Sequence, residues 1–321
     1  MQRSIDIAAA RPTGAGVLIV LNALSGAAVI RRDPRATFAE RLPDAVVHES
    51  REGEDLAEAV ARRMEAPDPP TVLGVYGGDG TVSRIADLAR RYEVPLLAMP
   101  GGTFNHFVRA LGIDDVDAAI DAYQRGAVRT VTVARAVAGA DEAIVLNAVS
   151  IGTYPTFLEQ REERFHRLGK WLGGVAAAWS ALRTARPVTI VRNGRRARVW
   201  SVFVGVGRND PRRVATMQRQ SIDDAVLDVR IHHARGTRLR AMASLAFGRR
   251  TAAVLRALRM MPPESDVERL VLARFEIAVR PADGVPSVFV HDGELEEQHP
   301  SGFTLQCEAL PSAVTVFAPP A

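Results

Sequence analysis

The residues best equipped for chemistry lie in the run Tyr76-Gly77-Gly78-Asp79-Gly80-Thr81. Glycines let a backbone come close to an anion, and a helix N-terminus turns unpaired N–H groups toward it. Both ingredients are present. The apolar Thr71-Val72-Leu73-Gly74-Val75 before the run reads as a buried strand, and Val82 to Ala89 after it is apolar at helical spacing. A strand, a glycine turn and a helix start make a phosphate site. A carboxylate inside such a loop repels phosphate unless a cation sits between them, so Asp79 implies a divalent metal. The loop lacks the Gly-Lys-Ser/Thr ending of a Walker A sequence, and Lys170, the only lysine in the chain, lies far from it in sequence.

Three more segments share this character. Pro100-Gly101-Gly102-Thr103-Phe104-Asn105 repeats the glycine turn, with Thr103 to cap the next helix and Asn105 to supply a neutral amide. Leu146 to Pro155 leaves a strand through Asn147, Ser150 and Gly152. His291-Asp292-Gly293-Glu294 follows the apolar Ser287 to Val290. Asp292 and Glu294, separated by one glycine, could reach one site, one as a base and the other holding a metal or water. Taken alone, Glu294 reads rather as a solvated hairpin carboxylate beside Glu296 and Glu297. His166, His232, His233 and His299 show no metal spacing with cysteine or carboxylate partners.

The elements that must position these loops alternate in the first third of the chain. Strands are expected at 17–21, 71–76 and 95–99, and helices at 55–64, 81–91, 104–111 and 116–124. This alternation predicts a parallel sheet with ligands beyond the carboxyl ends of its strands, where loops 22–26, 77–81 and 100–105 all fall. Pro67 to Pro70 reads as a loop, because strand 71–76 must pair with strand 17–21. After about residue 128, β-branched runs recur at 128–137, 143–149, 188–191, 199–206, 226–231, 270–279 and 287–290. Asn193-Gly194 between two of them is a hairpin signal. An antiparallel β-sandwich or a barrel-like second domain is expected there, interrupted by helical insertions at about 157–184 and 238–260. The resulting division is an α/β domain over 1–130, a β-rich domain over 131–305, and a C-terminal segment 306–321 that packs back on the first.

Composition narrows the function classes. No run of 18 apolar residues occurs, so no transmembrane helix is expected, and the start has no apolar core of signal-peptide length. One cysteine excludes an intramolecular disulfide framework and suits a reducing cytoplasm. The formal charge of +4 reads as a solvated arginine surface or as attraction to an anionic partner. Aromatics are only 6%, with no basic stretch interleaved among them, so nucleic acid is not expected as a partner.

In chain order these segments resemble the lipid kinase superfamily that includes diacylglycerol kinases, sphingosine kinases and bacterial phosphatidylglycerol kinase-like proteins. The resemblance runs through an Asn-Pro-x-Ser-Gly-like loop at Asn22 to Gly26, Gly-Gly-Asp-Gly-Thr at 77–81, and Pro-x-Gly-Thr-x-Asn at 100–105. It continues through Asn-x-x-Ser-x-Gly at 147–152 and Asp-Gly-Glu at 292–294. The second of these also occurs in NAD kinases and phosphofructokinases; the five in this order are specific, and they cover nearly the whole chain.

The resemblance implies a Rossmann-like first domain binding ATP and Mg2+. Asn22, Ser25, Gly26, Gly77, Gly78, Asp79, Gly80, Thr81, Val82, Ser83, Arg84, Thr103 and Asn105 would line the ATP site, with Ser50 in place of a nucleotide-contacting threonine. Glu294 matches the residue assigned as acceptor of the lipid hydroxyl proton. Ser221, Asp224 and Val226 align with a structural magnesium site of one carboxylate and two main-chain carbonyls. Three positions depart from the pattern: Ala23 replaces a proline, His106 an aspartate that supports the catalytic metal, and Ala225 the glycine after Asp224.

The expected protein is thus an ATP- and Mg2+-dependent kinase of a membrane lipid, diacylglycerol-like, in phospholipid metabolism. It would act from the cytoplasm, peripheral to the inner face of the membrane. The lipid would enter between the domains, its headgroup near Asn147 and Ser150, with catalysis by Glu294, Asp79 and Asp292. Two segments suit a role at lipid: the arginine-rich amphipathic stretch Arg238 to Met261, for an anionic membrane surface, and Arg161 to Trp171, as a lip of the lipid cleft. Packed helices are their plainer readings. A soluble-substrate kinase of the NAD kinase type and a non-catalytic lipid- or nucleotide-binding protein remain as alternatives, and a homodimer is left open.

Overall fold

The structure, a computed structural model, describes residues 11–22, 33–152, 186–209, 219–234, 267–282 and 287–320. Ser25, Gly26 and Ala23 lie outside the described residues, as do the helical insertions expected at 157–184 and 238–260. Two compact units divide the chain: Met1–Val131 with Ser312–Ala321, and Thr132–Pro311.

In the first unit, strands β1 (Val17–Leu21), β2 (Val46–Glu49), β3 (Val72–Gly77) and β4 (Leu96–Pro100) run parallel in the order β2-β1-β3-β4. The pairing of β1 with β3 is the one the sequence requires. Every residue of β1, β3 and β4 is buried. Parallel strands covered on both faces read as unbroken apolar runs, so their sequence signal is strong. Helices α1 (Pro34–Arg41), α2 (Leu56–Met64), α3 (Asp79–Arg91), α4 (His106–Ala110) and α5 (Val116–Gln124) complete the unit. Asp55 and Asp115 cap α2 and α5, their carboxylates accepting from N–H groups of the first turn. The chain's end belongs here too. Val316 of β15 (Phe303–Phe317) pairs in parallel with Leu96, and the Phe317 ring meets Tyr123 edge-on at 5.0 Å.

Sequence reasoning passes over α1 and β2. Of α1 only Pro34 and Phe38 are buried, and β2 has Val46 and Val47 exposed, so neither carries the apolar period of a half-buried element.

The second unit is β-rich and antiparallel. Its strands are β5 (Val128–Ala138), which begins in the first unit, β6 (Asp141–Val145), β7 (Ala148–Gly152), β8 (Val188–Arg192), β9 (Arg195–Val206), β10 (Leu227–His233), β11 (Val267–Leu272), β12 (Arg274–Arg280), β13 (Val288–His291) and β14 (Glu294–Glu297), together with most of β15. The long β9 organises them. Along one edge it pairs with β10, and along the other with β8 near its start and β7 near its end. Asn193 and Gly194 turn β8 into β9, both with positive φ, as a two-residue hairpin loop requires.

Two stretches that read as single strands are each divided. The run 143–149 is broken at Leu146-Asn147 between β6 and β7, and 270–279 is parted at Ala273 between β11 and β12. The first break has a visible cause in the side chain of Asp292, described below.

Candidate active site

Three loops of the first unit sit where its parallel strands end. Asn22 follows β1, Gly78 to Thr81 follow β3, and Gly101 to Asn105 follow β4. The loops hold one another. Asn22 donates from Nδ2 to Thr81 Oγ1 at 2.9 Å, and its backbone N–H donates to the Tyr76 carbonyl. Gly101 donates to the Gly77 carbonyl at 3.0 Å, and Asp79 Oδ1 accepts from the Phe107 N–H at 3.3 Å. Ser50, after β2, is tied back to the carbonyl of Leu21 through its N–H and hydroxyl.

Helix α3 starts at Asp79, two residues before the start expected from the apolar period. The Asp-Gly-Thr of the motif therefore forms its first turn, and Gly78 is the N-cap with no side-chain cap bond. A thirteen-residue helix that opens this way on a strand's carboxyl end is chemically suited to an anion. Thr81, Val82 and Ser83 are buried, Gly80 is partly so, and Arg84 is exposed.

The paired glycines serve the contact between loops. A Cβ on Gly101 would lie 2.5 Å from the Gly77 nitrogen, and one on Gly102 would run into the Gly78 Cα. Asn105 locks this arrangement. At φ 51 it occupies the left-handed region, its Oδ1 accepts from the Gly102 N–H, and its Nδ2 donates to the Gly102 carbonyl, each at 2.8 Å. The amide thus ties the loop to itself through one bond at its oxygen and one at its nitrogen. Thr103 is exposed, and His106 stacks flat on Phe104 with ring centroids 5.4 Å apart.

In the second unit, Asp292 and Gly293 form the two-residue turn between β13 and β14, with φ of 47 and 92. A type I′ hairpin turn needs positive φ at both central residues, which explains Asp-Gly at this point. The Asp292 carboxylate is buried. Its Oδ2 accepts from the Leu146 N–H at 2.6 Å, and its Oδ1 from those of Asn147 and Ala148 at 2.8 and 3.1 Å. Three backbone bonds to one carboxylate end β6 and start β7. Asp292 is therefore engaged by main chain, while Glu294, half-buried at the head of β14, clusters with His291 and Glu296. Asn147 and Ser150 are both buried, Asn147 on the bend and Ser150 on β7 opposite Phe203 and Val290.

The turn of Ser221, Asp224 and Val226 lies beside a residue that the sequence gives no means of singling out. Arg219, only 9% exposed, donates to the carbonyls of Leu146, Thr132 and Ile222 at 2.9 to 3.1 Å. Burial lowers its pKa to about 10, against the raising fields of Asp292, Asp223 and Asp224, so it stays charged at neutral pH. A cation is therefore already built in next to this turn, among the carboxylates of Asp292, Asp223 and Asp224. The Val226 carbonyl accepts from the Gly207 N–H at 2.8 Å. Ala225 is not among the described residues with positive φ, so the alanine brings no left-handed strain.

Comparison with known proteins follows the same lines. Residues 16–136 match the model of the diacylglycerol kinase catalytic domain. A solved diacylglycerol kinase from Bacillus anthracis str. Sterne is similar at 20% identity and a TM-score of 0.58, over 95% of this chain and 97% of that one. A second structure from the same organism, of a candidate diacylglycerol kinase, gives 21% and 0.61 over the same shares. At such identities these structures show a common fold: a parallel N-terminal sheet followed by a β-rich antiparallel region.

Proposed function

We propose that this chain, whose residues 16–136 match the diacylglycerol kinase catalytic domain, belongs to that lipid kinase superfamily and transfers the γ-phosphoryl group of ATP to the hydroxyl of a membrane lipid, with a diacylglycerol-like acceptor. The observation that supports this most is the mutual bonding of the loops after β1, β3 and β4 around the start of α3. When bound, ATP supplies the phosphoryl group and magnesium offsets its charge. The residues present fit both. Gly78 to Thr81 offer a helix start without a side-chain cap, and Asp79 is a half-buried carboxylate of the kind that holds a hard cation.

The chain's own contribution is to bind and orient the phosphates in the first unit and to take up the acceptor's proton at a Glu294 carboxylate oxygen. Asn147 and Ser150 would meet the acceptor's headgroup. Asp292 shapes the bend that carries Asn147, a positioning role. A structural magnesium at Ser221, Asp224 and Val226 would steady that turn and takes no part in the transfer itself. Among the described residues no helix is long and apolar enough to cross a membrane. In this reading access to a lipid is from the membrane surface, on its cytoplasmic face.

Transfer of radiolabelled γ-phosphate to vesicles containing diacylglycerol, compared with sphingoid-base vesicles and soluble NAD, tests the proposal. Label in the diacylglycerol fraction, reduced by roughly 10²–10⁴-fold in Glu294→Gln, is the expected result. Label appearing only in NAD would replace the lipid reading with the soluble one. Label in neither lipid nor NAD would remove the activity.

A further inference from the structure

We propose that His291, Glu294 and Glu296 form a binding site for a transition-series divalent cation of the zinc, cobalt or manganese kind on the β13–β14 hairpin. The hairpin's register builds it. His291 pairs directly with Glu294 across the two strands, and Glu296 lies two residues further along β14. Residues opposite one another and residues two apart share a face of a sheet, so the three side chains project together. One ligand atom from each lies within 4.8 Å of the others.

The histidine supplies the independent sign of a ligand. Its side chain is only 9% exposed, and Nδ1 is buried without a hydrogen-bond partner. Its Nε2 lies 3.6 Å from Glu296 Oε1, beyond hydrogen-bond reach. Nε2, the ring atom that faces Glu296, is the one a cation would take, which gives an otherwise unpartnered ring one bond and leaves Nδ1 as it is. The spacing is apt as well, since two ligands bound at about 2.1 Å to a tetrahedral metal stand about 3.4 Å apart. Phe289, buried below, meets the ring at 5.6 Å and fixes its place.

One imidazole nitrogen with two carboxylates suits zinc, cobalt or manganese, whereas magnesium prefers oxygen ligands alone. The Glu296 side chain is 41% exposed, so an ion can enter from solvent without opening the fold. The consequence rests on the kinase reading above. A cation on Glu294 would occupy the oxygen that accepts the hydroxyl proton, and transfer would stop while nucleotide binding continued.

Tag-free, chelator-stripped protein titrated with Co2+ and followed by visible absorption tests the site, using wild type, His291→Ala and Glu296→Gln. Expected is one Co2+ per chain, displaced by Zn2+, with affinity at least about tenfold lower in both variants. Equal binding and equal spectra in all three would overturn the assignment. So would the absence of wild-type binding up to about 1 mM. If His291→Ala fails to fold, Glu296→Gln carries the comparison, because it changes an exposed position. In parallel, Zn2+ should inhibit phosphate transfer at fixed Mg-ATP, and Glu296→Gln should relieve that inhibition. Cobalt binding lost in the variants, with no transfer by wild type, would keep the site and remove the kinase reading. Transfer indifferent to zinc, with no cobalt bound, would do the reverse.

Discussion

Asp292 and Arg219 grip the same piece of main chain. The carboxylate accepts from the N–H groups of Leu146, Asn147 and Ala148, and the guanidinium donates to the carbonyl of Leu146. Each is buried, and each feels the other's charge. The bend at Asn147 is therefore set by two ionic groups that both lie more than 70 positions further along the chain.

Removing one partner should be costly, because it strands the other's charge in the interior. Hydrogen bonds to charged groups contribute about 1.5–3 kcal/mol each. Asp292→Ala should therefore lower the unfolding free energy by roughly 3–5 kcal/mol, and Arg219→Met by a similar amount. The double variant should lose less than the sum, leaving a coupling of at least about 0.5 kcal/mol in urea melts. Additive losses would mean that the two act on the bend independently.

Gly102→Ala should separate the loops after β3 and β4, since the new Cβ would meet the Gly78 Cα, a backbone atom that cannot swing aside. The parallel sheet itself should survive. Circular dichroism should stay close to wild type, while nucleotide affinity measured by calorimetry should fall by about tenfold or more. Unchanged affinity would show that the approach of the two loops is not needed for binding.

Cys307 carries a pH prediction. It is 2% exposed, and burial pushes its thiol from the ordinary 9.0 up to about 12. Between those values the unfolded chain loses this proton while the folded chain keeps it. The folded state thus binds more protons, and stability must fall as pH rises through that window. Urea melts at pH 8 to 10.5 should show a steeper alkaline loss in wild type than in Cys307→Ala, about which pH 8 serves as the common reference. Parallel curves would mean that the thiol ionises alike in both states.

What the sequence made legible follows burial on both faces. β1, β3 and β4 are apolar throughout, and the helices between and after them keep an apolar period, so the parallel unit could be read in advance. Asn193-Gly194 gave its hairpin for a similarly local reason, the need for positive φ. Long-range partners were another matter. Nothing near Asn105 says that its amide closes on Gly102, and nothing near Asp292 says that it ends a strand at Leu146. Arg219 carries no local signal, because its partners are main-chain carbonyls that any sequence supplies. His291 escaped notice because its neighbours in the site come from the facing strand, and only the register brings them together.

Asp79 allows fold and chemistry to be separated most sharply. Its Oδ1 accepts from the Phe107 N–H at 3.3 Å, joining the start of α3 to α4. Asparagine keeps that oxygen, so Asp79→Asn should retain the bond and change stability by less than about 1 kcal/mol. It loses the negative charge, however, and with it the attraction for a divalent cation. Phosphate transfer should then collapse by about 10²-fold or more at ordinary magnesium, with partial recovery as magnesium is raised. Asp79→Ala should lose both the charge and the bond, showing a lower melting temperature besides the same defect. The diagnostic quantity is the magnesium dependence of kcat. If Asp79→Asn transfers phosphate at the wild-type rate across the magnesium range, the carboxylate only joins two helices and the cation is held elsewhere. If Asp79→Asn melts as low as Asp79→Ala, the charge itself is what holds the loop, and its loss of activity would then report unfolding of the site rather than a missing metal.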